Sequence, residues 1–373
     1  MRGSSATIMV IGAGPGGVSA ARRIRDRSDA GVVLVERDGV AEYLPGTIST
    51  LLGETERGRW RRRVALEGID VRAGEVEEIS GGGARLDGGW VGADCVIAAP
   101  GLRLDAGSVP GLPGVFAVWD PAGAEAATNA VRGLRTGTVA VVISSLPYRC
   151  PPAPYSLAMQ LAAHYESSGA MVRVVLATPE EEPLAALGGG VPEFLTRSCA
   201  QAGVELLAGF EVASYEDGRI RGSGGDSLGY DLALVVPPHA RSPLLADLPG
   251  DGTLVEVSPR FESAGEGLFV VGDAAATPLP RAADAASAAG KTAADAALAR
   301  LSLASEEEPH IPGPECFVGH GSGTFSRISL RYPEGLPPGG AAEVTIEGPS
   351  RDLAGKFEEA FARWTRDRRD EAG

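Results

Sequence analysis

The N-terminal segment contains the feature that most restricts the fold of this chain. An apolar run, ATIMVI at positions 6–11, leads directly into GAGPGG and then into VSAARRIRDRS, whose apolar residues have helical spacing. A second apolar run, GVVLVERD at 31–38, ends in acid. This order predicts a strand, a tight turn, a helix and a second strand parallel to the first.

Three glycines of the turn, Gly12, Gly14 and Gly17, have the spacing of the GxGxxG fingerprint of dinucleotide-binding units. In that fingerprint the first glycine permits the turn, the second lets a diphosphate approach the backbone, and the third lets helix and strand pack closely. The helix N-terminus then faces the phosphates with unpaired N–H groups. Glu36 ends the second strand, where it can accept hydrogen bonds from a ribose diol and repel a 2′-phosphate. A glycine-rich turn without a ligand is the alternative, but the ordered strand, helix, strand and acid favour a dinucleotide site.

The glycines alone do not distinguish FAD from NAD, but a later segment does. Residues 268–301 predict a buried strand that delivers Gly272 and Asp273, followed by a helix of small residues. In flavoproteins with two dinucleotide-binding domains, such an aspartate meets the ribityl chain of the flavin. The segment CVIAAPG, which ends at Gly101, is similar to the strand that closes the first half of such FAD domains. An ordinary strand and helix would explain residues 268–301 but not their coincidence with the N-terminal unit.

Residues 106–250 carry a second alternation of strand and helix patterns, which predicts another Rossmann-like domain. After its first strand, TVAVVIS, the glycine fingerprint is replaced by SLPYRCPPAPYS. Proline removes the N–H groups that would bind a diphosphate, so we expect no NAD(P)H here. We therefore predict an α/β fold with two Rossmann-like dinucleotide-binding domains of the FAD/NAD(P)-linked reductase type. The FAD domain is split between residues 1–105 and 251–305, and residues 306–373 form a C-terminal interface segment.

Charge and cysteine content exclude several classes of protein. The net charge of −15 argues against nucleic acid as a partner. Four scattered cysteines, without a CxxC pair or zinc spacing, predict neither a disulfide scaffold nor a metal site. Gly or charge interrupts each long apolar run, which argues against a transmembrane segment. Because MRGSSATIMVIGAG leads straight into the first strand, we expect no signal peptide and a cytoplasmic location.

Several motifs together resemble the family of FAD-dependent sulfide dehydrogenases and sulfide:quinone oxidoreductases. They are GAGPGG, PYRCPPAPY, VVPPH, GDAAATPLPRAADAASAAGK, and ECFVGHGSGTFSRISLRY at 315–332, and they cover nearly the whole chain. The PYRCPP element is the most specific of them. Within the family, the chain is most similar to the flavoprotein subunits of flavocytochrome c sulfide dehydrogenases.

This resemblance implies that Cys150 and Cys316 form a redox disulfide beside a flavin. A sulfur nucleophile would open the disulfide to a persulfide and a thiolate, and two electrons would pass to FAD. The prolines around Cys150 would hold it at the face of the ring. For each cysteine the alternative is a small buried apolar residue, the usual environment of a free thiol. We expect Cys95, in an apolar strand, and Cys199, on a helix, to be structural.

The chain also departs from the family pattern. Ser156 stands where the family has a glutamate that could handle protons, and serine is no base at neutral pH without help. His239 or His320 could replace it, although each could equally be an ordinary loop histidine. Pro45 occupies the position at which flavocytochrome subunits attach FAD through cysteine, so we expect non-covalent FAD. Lys291 matches a family lysine near the flavin, with a solvent-facing lysine as the alternative.

The C-terminal stretch DLAGKFEEAFARWTRDRR, 352–369, places four apolar side chains on one helical stripe: Leu353, Phe357, Phe361 and Trp364. Membrane-bound quinone reductases of the family use C-terminal amphipathic helices to lie on the bilayer. Peripheral membrane contact is therefore one interpretation. We favour packing against the protein's own core, because the helix starts with acidic residues and the whole chain is acidic.

These observations predict an FAD-dependent oxidoreductase that acts on sulfide or a small thiol or persulfide. Electrons would leave to a cytochrome or to a quinone. One alternative is a sulfur-transfer enzyme that hands a cysteine persulfide to a biosynthetic acceptor. The other is a flavin electron-transfer module whose sulfur chemistry has been lost.

Overall fold

A computed structural model describes residues 6–336 and 341–368. Its α-helices are α1 Pro15–Arg27, α2 Thr47–Leu51, α3 Pro121–Gly133, α4 Ala153–Ser167, α5 Val191–Gln201, α6 Ala283–Arg300 and α7 Asp352–Arg366. The strands are β1 Thr7–Ile11, β2 Gly31–Glu36, β3 Val40–Glu42, β4 Arg61–Arg63, β5 Asp70–Ala73, β6 Val76–Ser80, β7 Gly83–Leu86, β8 Gly89–Gly92, β9 Cys95–Ala98, β10 Arg103–Leu104, β11 Val115–Ala117, β12 Thr136–Ile143, β13 Met171–Ala177, β14 Val204–Leu207, β15 Val212–Glu216, β16 Arg219–Gly222, β17 Ser227–Gly229, β18 Leu232–Val236, β19 His239–Ala240, β20 Leu268–Val270, β21 Glu315–Gly321, β22 Thr324–Arg331 and β23 Glu343–Ser350.

The first large sheet has the strand order β20-β9-β1-β2-β5, and its strands are all parallel. Successive side chains of β1 point to opposite faces, so Ile8 and Val10 join one apolar cluster while Met9 and Ile11 join another. A parallel sheet with both faces covered requires the near-continuous apolar runs that the sequence shows. The predicted strand–turn–helix–strand unit at the N-terminus is therefore confirmed.

Helices α1 and α6 cover one face of this sheet and pack closely against each other. A methyl group added at Gly17 would overlap the carbonyl oxygen of Gly12, and one added at Gly290 would overlap that of Gly16. Glycine at these positions lets α1 approach both the sheet and α6. The alanine-rich sequence of α6 has the same cause, because most of its alanines are buried in this contact.

The second large sheet has the order β11-β18-β12-β13-β14 and is also parallel throughout. Val139, Val141 and Ile143 of β12 face the larger cluster, which the helices α3, α4 and α5 complete. Ala140 and Val142 face a smaller cluster on the opposite side. The predicted α/β class with two Rossmann-like sheets is confirmed.

A third, antiparallel sheet, β21-β22-β23, follows the two Rossmann-like sheets. Strand β21 packs on α4, and the buried Ser156 hydroxyl accepts a hydrogen bond from the Gly319 N–H at 2.8 Å. This contact brings the C-terminal region to the helix that starts just after Cys150. It also explains how residues far apart in the sequence come together.

Helix α7 packs its apolar stripe on the segment between β3 and β4. Phe361 and Trp364 are buried against Tyr43 and Trp60, with ring centroids about 5 to 6 Å apart, and Leu353 is buried as well. Core packing, the interpretation favoured from the sequence, is therefore confirmed for the described part of this helix. Among the residues that the structure describes, none of the helices combines the length and apolar character needed to cross a bilayer.

Candidate functional site

The predicted cofactor residues gather along one edge of the first sheet. Gly12 follows β1, Glu36 ends β2, Gly101 follows β9 and Gly272 follows β20. The carboxyl ends of parallel strands meet at the same edge, which is where open α/β sheets bind their ligands. Four segments that are distant in the sequence thus contribute to one surface.

The loop after β1 has the geometry of a diphosphate-binding turn. Gly12 has φ +94°, and a side chain there would overlap the Ala99 carbonyl oxygen. A methyl group at Gly14 would meet no described atom within 4 Å, so the space beside this residue is open. Helix α1 begins at Pro15 with Gly14 as its N-cap and without a side-chain cap. Its first N–H groups and the positive end of its dipole are therefore left for an anion.

Glu36 lies beside this loop and is held by the backbone. Its Oε2 accepts a hydrogen bond from the Ala13 N–H at 2.6 Å, and its Oε1 accepts one from the Arg37 N–H at 3.1 Å. The carboxylate is fixed at the end of β2, next to the glycine turn. This position suits the hydroxyl groups of a ribose.

Asp273 and Arg281 line a small cavity beyond the end of β20, together with Gly272 and Ala286. Burial raises the pKa of Asp273, while Arg149 and Arg281 act in the opposite direction. Burial also lowers the pKa of Arg281, whose Nε finds no partner within the described chain. Both side chains can therefore form further hydrogen bonds at the predicted flavin end of the site.

Cys150 occupies the loop between β12 and α4, directly beside this cavity. Its N–H donates a hydrogen bond to the carbonyl oxygen of Arg281 at 3.1 Å, and its own carbonyl accepts one from Ala153. Its φ of +56° is a left-handed conformation that non-glycine residues rarely adopt. Such a conformation persists only where the surrounding structure enforces it, which is common at functional sites.

Cys316 reaches the same region from β21, where it pairs with Ile328 of β22. Both thiols are partly buried and border the same apolar cluster, and both are free thiols in this structure. Burial raises the pKa of Cys150 to about 11, with Arg149 opposing the shift. Burial also raises the pKa of Cys316 to about 12, and the charge of Cys150 adds to this shift. Both thiols thus belong to the same buried region of the fold.

The other two cysteines lie away from this region. Cys95 is fully buried on β9, in the core of the first sheet, and Cys199 is fully buried on α5. Burial raises the pKa of both thiols. Their positions agree with the structural role expected for them.

A carboxylate that the sequence did not single out fixes the loop of Cys150. Glu180, which follows β13, accepts hydrogen bonds through Oε2 from Tyr155 at 2.6 Å, Thr178 at 3.1 Å and Tyr148 at 3.3 Å. Tyr148 also donates to the carbonyl oxygen of Pro151 at 3.1 Å. The two tyrosines flank Cys150 in PYRCPPAPY, so Glu180 clamps the loop from both sides. The sequence did contain one signal for this residue. Glu180 follows β13, the strand after α4, much as Glu36 ends β2, the strand after α1.

Ser156 and the two histidines have defined hydrogen-bond partners. The Ser156 hydroxyl accepts from Gly319 and from the Gln160 side chain at 3.0 Å, so it ties α4 to β21. His239 is buried, with Nδ1 at 3.0 Å from the Pro237 carbonyl oxygen. Its Nε2 accepts from the Arg149 N–H at 3.4 Å. Burial lowers the pKa of His239 to about 4, and Arg149 adds to this shift, so the ring is neutral at pH 7.

His320 lies further from Cys150 along β21. Its Nε2 is 2.9 Å from the Ser326 hydroxyl, and its ring meets the edge of Phe194. Burial lowers the pKa of His320 as well. Of the two histidines, the structure therefore places only His239 next to the backbone of the Cys150 loop.

Two of the remaining predicted residues, Pro45 and Lys291, lie on open surface. Pro45 is exposed in the short turn Leu44–Gly46, next to the buried Tyr43. Lys291 is exposed on α6, as its solvent-facing alternative requires. Gly101 has φ +65° and open space at the position of a Cβ atom.

Several features of the residues at the first sheet fit FAD. The open space at Gly14 admits a diphosphate, and the uncapped start of α1 supplies the charge to hold it. Glu36 is fixed where a ribose is expected. Asp273 and Arg281 can form further hydrogen bonds at the other end of the site. The loop after β12 differs, because Pro151 and Pro152 have no N–H, and the N–H groups of Arg149 and Cys150 already donate to His239 and to the Arg281 carbonyl oxygen.

One group of side chains has the spacing of metal ligands. Asp295, Glu307 and His310 bring ligand atoms within 4.8 Å of one another. Arg23 and Arg27 both pair with Asp295 and Glu307, at 2.5 to 2.9 Å. Two guanidinium groups already neutralise these carboxylates, so we interpret the group as an ion-pair network that links α1 to α6.

No family model matches the sequence. The fold, however, is similar to that of several solved structures. The chain superposes on a sulfide:quinone oxidoreductase from Aquifex aeolicus with a TM-score of 0.82 at 16% identity, covering 97% of this chain and 92% of that one. It superposes on a chain of the mitochondrial ATP synthase of Tetrahymena thermophila with a TM-score of 0.72 at 13% identity, covering 100% and 95%.

A third similar structure is an NAD-dependent persulfide reductase from A. fulgidus, with a TM-score of 0.64 at 18% identity. The superposition covers 88% of this chain but 64% of that one, so this chain spans less than two thirds of the reductase. These likenesses establish a shared fold. The presence of an ATP synthase chain among them illustrates that the fold by itself does not fix the activity.

Proposed function

We propose that this chain is an FAD-dependent oxidoreductase that oxidises sulfide, or a small thiol or persulfide, through Cys150 and Cys316. The observation that carries the proposal is that Cys150 lies beside the cavity of Gly272 and Asp273 and that Cys316 borders the same apolar cluster as Cys150. The Cys150 N–H donates to the carbonyl oxygen of Arg281, which lines that cavity, and Cys316 lies on β21. The Aquifex and A. fulgidus proteins of similar fold are named for the same sulfur chemistry.

The first unit would hold FAD non-covalently. Gly12, Gly14 and Gly17 would admit the diphosphate, Glu36 would bind the adenosine ribose, and Asp273 would bind the ribityl region. When bound, FAD supplies an acceptor for two electrons. The second unit would bind no nicotinamide nucleotide, because prolines and tyrosines fill the place of its glycine loop.

The charges around the two thiols support different roles for them. A sulfur nucleophile that attacks a disulfide expels the thiolate with the lower pKa more readily. Arg149 opposes the effect of burial at Cys150, whereas Cys316 has no such cation among the causes of its shift. Attack at the Cys316 sulfur would therefore break the disulfide, form a persulfide on Cys316 and release Cys150 as the thiolate beside the cavity.

A second sulfur nucleophile would then take the outer sulfur of the persulfide. This step leaves two reduced cysteines, and their reoxidation to the disulfide yields the two electrons that leave to an external acceptor. A quinone is the acceptor named for the Aquifex protein, and a cytochrome is the other candidate.

The side chains near Cys150 favour a substrate that arrives as an anion. Ser156 is occupied as a hydrogen-bond acceptor, and His239 is a neutral acceptor held by the backbone, so neither is placed to deprotonate a thiol. Arg149 and Arg281 place two positive charges near Cys150, next to the carboxyl group of Asp273. Hydrosulfide or a persulfide anion would be attracted by the two arginines and would need no base.

Anaerobic titration of the FAD-loaded protein with sulfide, thiols and persulfides tests this proposal. We expect sulfide or a persulfide to bleach the flavin absorption band. Bound flavin that stays oxidised with every donor would contradict the proposal and would favour a flavin electron-transfer module. A sulfur-labelled acceptor product formed without net electron transfer would favour sulfur transfer instead.

A further inference from the structure

The end of α7 reaches the glycine turn of the first unit. Arg368 lies just beyond this helix, is only 2% exposed, and accepts a hydrogen bond through its carbonyl oxygen from the Ala65 N–H at 2.9 Å. The aromatic packing of Phe361 and Trp364 on Tyr43 holds the helix in this position. A residue near the C-terminal end of the described chain is thus fixed beside a turn formed near its start.

The guanidinium group of Arg368 is buried with incomplete pairing. It donates to the Ala13 carbonyl oxygen at 3.4 Å and to the Trp364 carbonyl oxygen at 3.1 Å, and it lies 4.3 Å from the centre of the Trp364 ring. Its Nε finds no acceptor in the part of the chain that the structure describes. A buried charged group normally forms all its hydrogen bonds, so the Nε of Arg368 lacks a partner.

The charges around the turn identify the missing partner as an anion. The start of α1 carries a partial positive charge. The guanidinium group of Arg368, next to Ala13, adds a full positive charge. Asp367 and Glu36 are the acidic groups that act on Arg368; Asp367 is exposed to solvent, and the Glu36 Oε2 already accepts from the Ala13 N–H. Neither carboxylate forms a hydrogen bond with the guanidinium group in the described chain, so the positive start of α1 and Arg368 together still favour an anion.

We propose that Arg368 is a ligand of the diphosphate of the dinucleotide bound at the first unit. This inference rests on the proposed binding of FAD. Arginine is well suited to the role, because its planar fork forms paired, charge-assisted hydrogen bonds with phosphate oxygens. The C-terminal helix would then complete the cofactor site, in addition to covering the core.

The test is a fluorescence titration of the apoprotein with FAD, which measures affinity without any turnover. Arg368→Met keeps the length of the side chain and removes its charge. We expect it to weaken FAD binding by roughly 10- to 100-fold, the usual range for a lost charged hydrogen bond. Arg368→Lys keeps the charge without the fork, and we expect a smaller loss. Arg366→Met, an exposed position at the end of the same helix, serves as the matched control and should bind FAD as the original protein does.

Each outcome separates this inference from the proposed function. If the original protein binds no FAD, the proposed function itself fails. If it binds FAD and both Arg368 variants bind equally well, the inference fails alone. Tighter binding by the variants would also overturn it, because Arg368 would then occupy the site rather than hold the ligand. Thermal melting of each apoprotein shows whether it is folded, and if the methionine variant is not, the lysine variant decides.

Discussion

The two parallel sheets use the carboxyl ends of their strands in opposite ways. In both, a strand is followed by a loop, a helix and a second strand that leads to a glutamate, Glu36 in one and Glu180 in the other. Glu36 lies beside a glycine turn with open space. Glu180 accepts hydrogen bonds from Tyr148 of the proline-rich loop and from Tyr155 at the start of α4.

This difference shows how one architecture yields two kinds of site. An open turn with free N–H groups can receive a ligand, whereas a loop filled by its own side chains becomes a rigid support. The acid that would bind a ribose in an open unit instead fixes the loop that carries Cys150. The function of each unit is therefore decided at the strand ends and not by the sheet.

The largest effect is expected at the proposed cysteine pair. Cys316→Ser should lower the rate of flavin reduction by sulfide by at least about three orders of magnitude, because no persulfide can form there. FAD should remain bound, since the first unit is unchanged. Stopped-flow absorbance measures the rate, and Cys199→Ala on α5 is the control. Rapid reduction of the flavin in Cys316→Ser would show that Cys316 takes no part in the sulfur chemistry.

A pair of glycine variants separates folding from binding in the open unit. Gly17→Ala should cost about 3 kcal/mol of unfolding free energy, because its methyl group overlaps the Gly12 carbonyl oxygen. Gly14→Ala meets no atom and should leave stability nearly unchanged, yet it should weaken FAD binding by roughly tenfold. Denaturant unfolding and FAD titration measure the two effects. Unaltered FAD affinity in Gly14→Ala would mean that the diphosphate binds elsewhere.

The closed end of the second sheet should show a pH dependence through His239. Its pKa is about 4 in the folded protein and near 6.5 when unfolded, so the unfolded chain binds more protons between these values. Stability should therefore fall as the pH drops from about 6.5 to 4, by about 3 kcal/mol from this residue. The difference in unfolding free energy between the original protein and His239→Gln isolates this contribution. Parallel pH profiles of the two proteins would show that the ring is not held neutral.

A smaller effect is expected at the clamp. Glu180→Gln should lower the unfolding free energy by about 1–2 kcal/mol, because it weakens the hydrogen bonds of Tyr148 and Tyr155. It should also speed alkylation of Cys150, measured by mass spectrometry of the reduced protein. Glu181→Gln, at the exposed neighbouring position, is the control. Equal alkylation rates in both variants would show that Glu180 does not hold the loop.

The last prediction is that nicotinamide nucleotides have no effect on the flavin. Addition of NADH or NADPH under anaerobic conditions should leave the flavin oxidised, because prolines replace the glycine fingerprint in the loop after β12. Absorbance of the flavin band over minutes is sufficient to test this. Rapid reduction would show that the loop of Cys150 opens, and the contrast between the two units would then be incorrect.

The sequence predicted what depends on local patterns. The strand, glycine turn, helix and second strand at 6–38 were predicted because each has its own periodicity and the turn requires glycine. The α/β class and the packing of the C-terminal stripe followed from the same patterns and are confirmed. The roles of Cys150, Cys316 and the FAD-binding residues remain proposals.

Contacts between distant segments were not predictable from these patterns. The position of Glu180 after β13 is a signal in the sequence, but nothing there indicates that Tyr148 and Tyr155 bind it. The sequence showed that a carboxylate is missing at Ser156, but not that its hydroxyl binds Gly319. Likewise, Arg368 lies among other arginines, and only the fold places it beside Ala13.

The order of strands in the first sheet has a consequence for synthesis of the chain. Strand β20 pairs with β9, yet it is made long after β1, β2, β5 and β9. Until it emerges, the growing polypeptide leaves the backbone of β9 without its neighbour, an edge that invites wrong pairing. The second sheet, by contrast, has all its strands between residues 115 and 236 and can close first. On the ribosome, the unit that is built later should therefore be the first to become native.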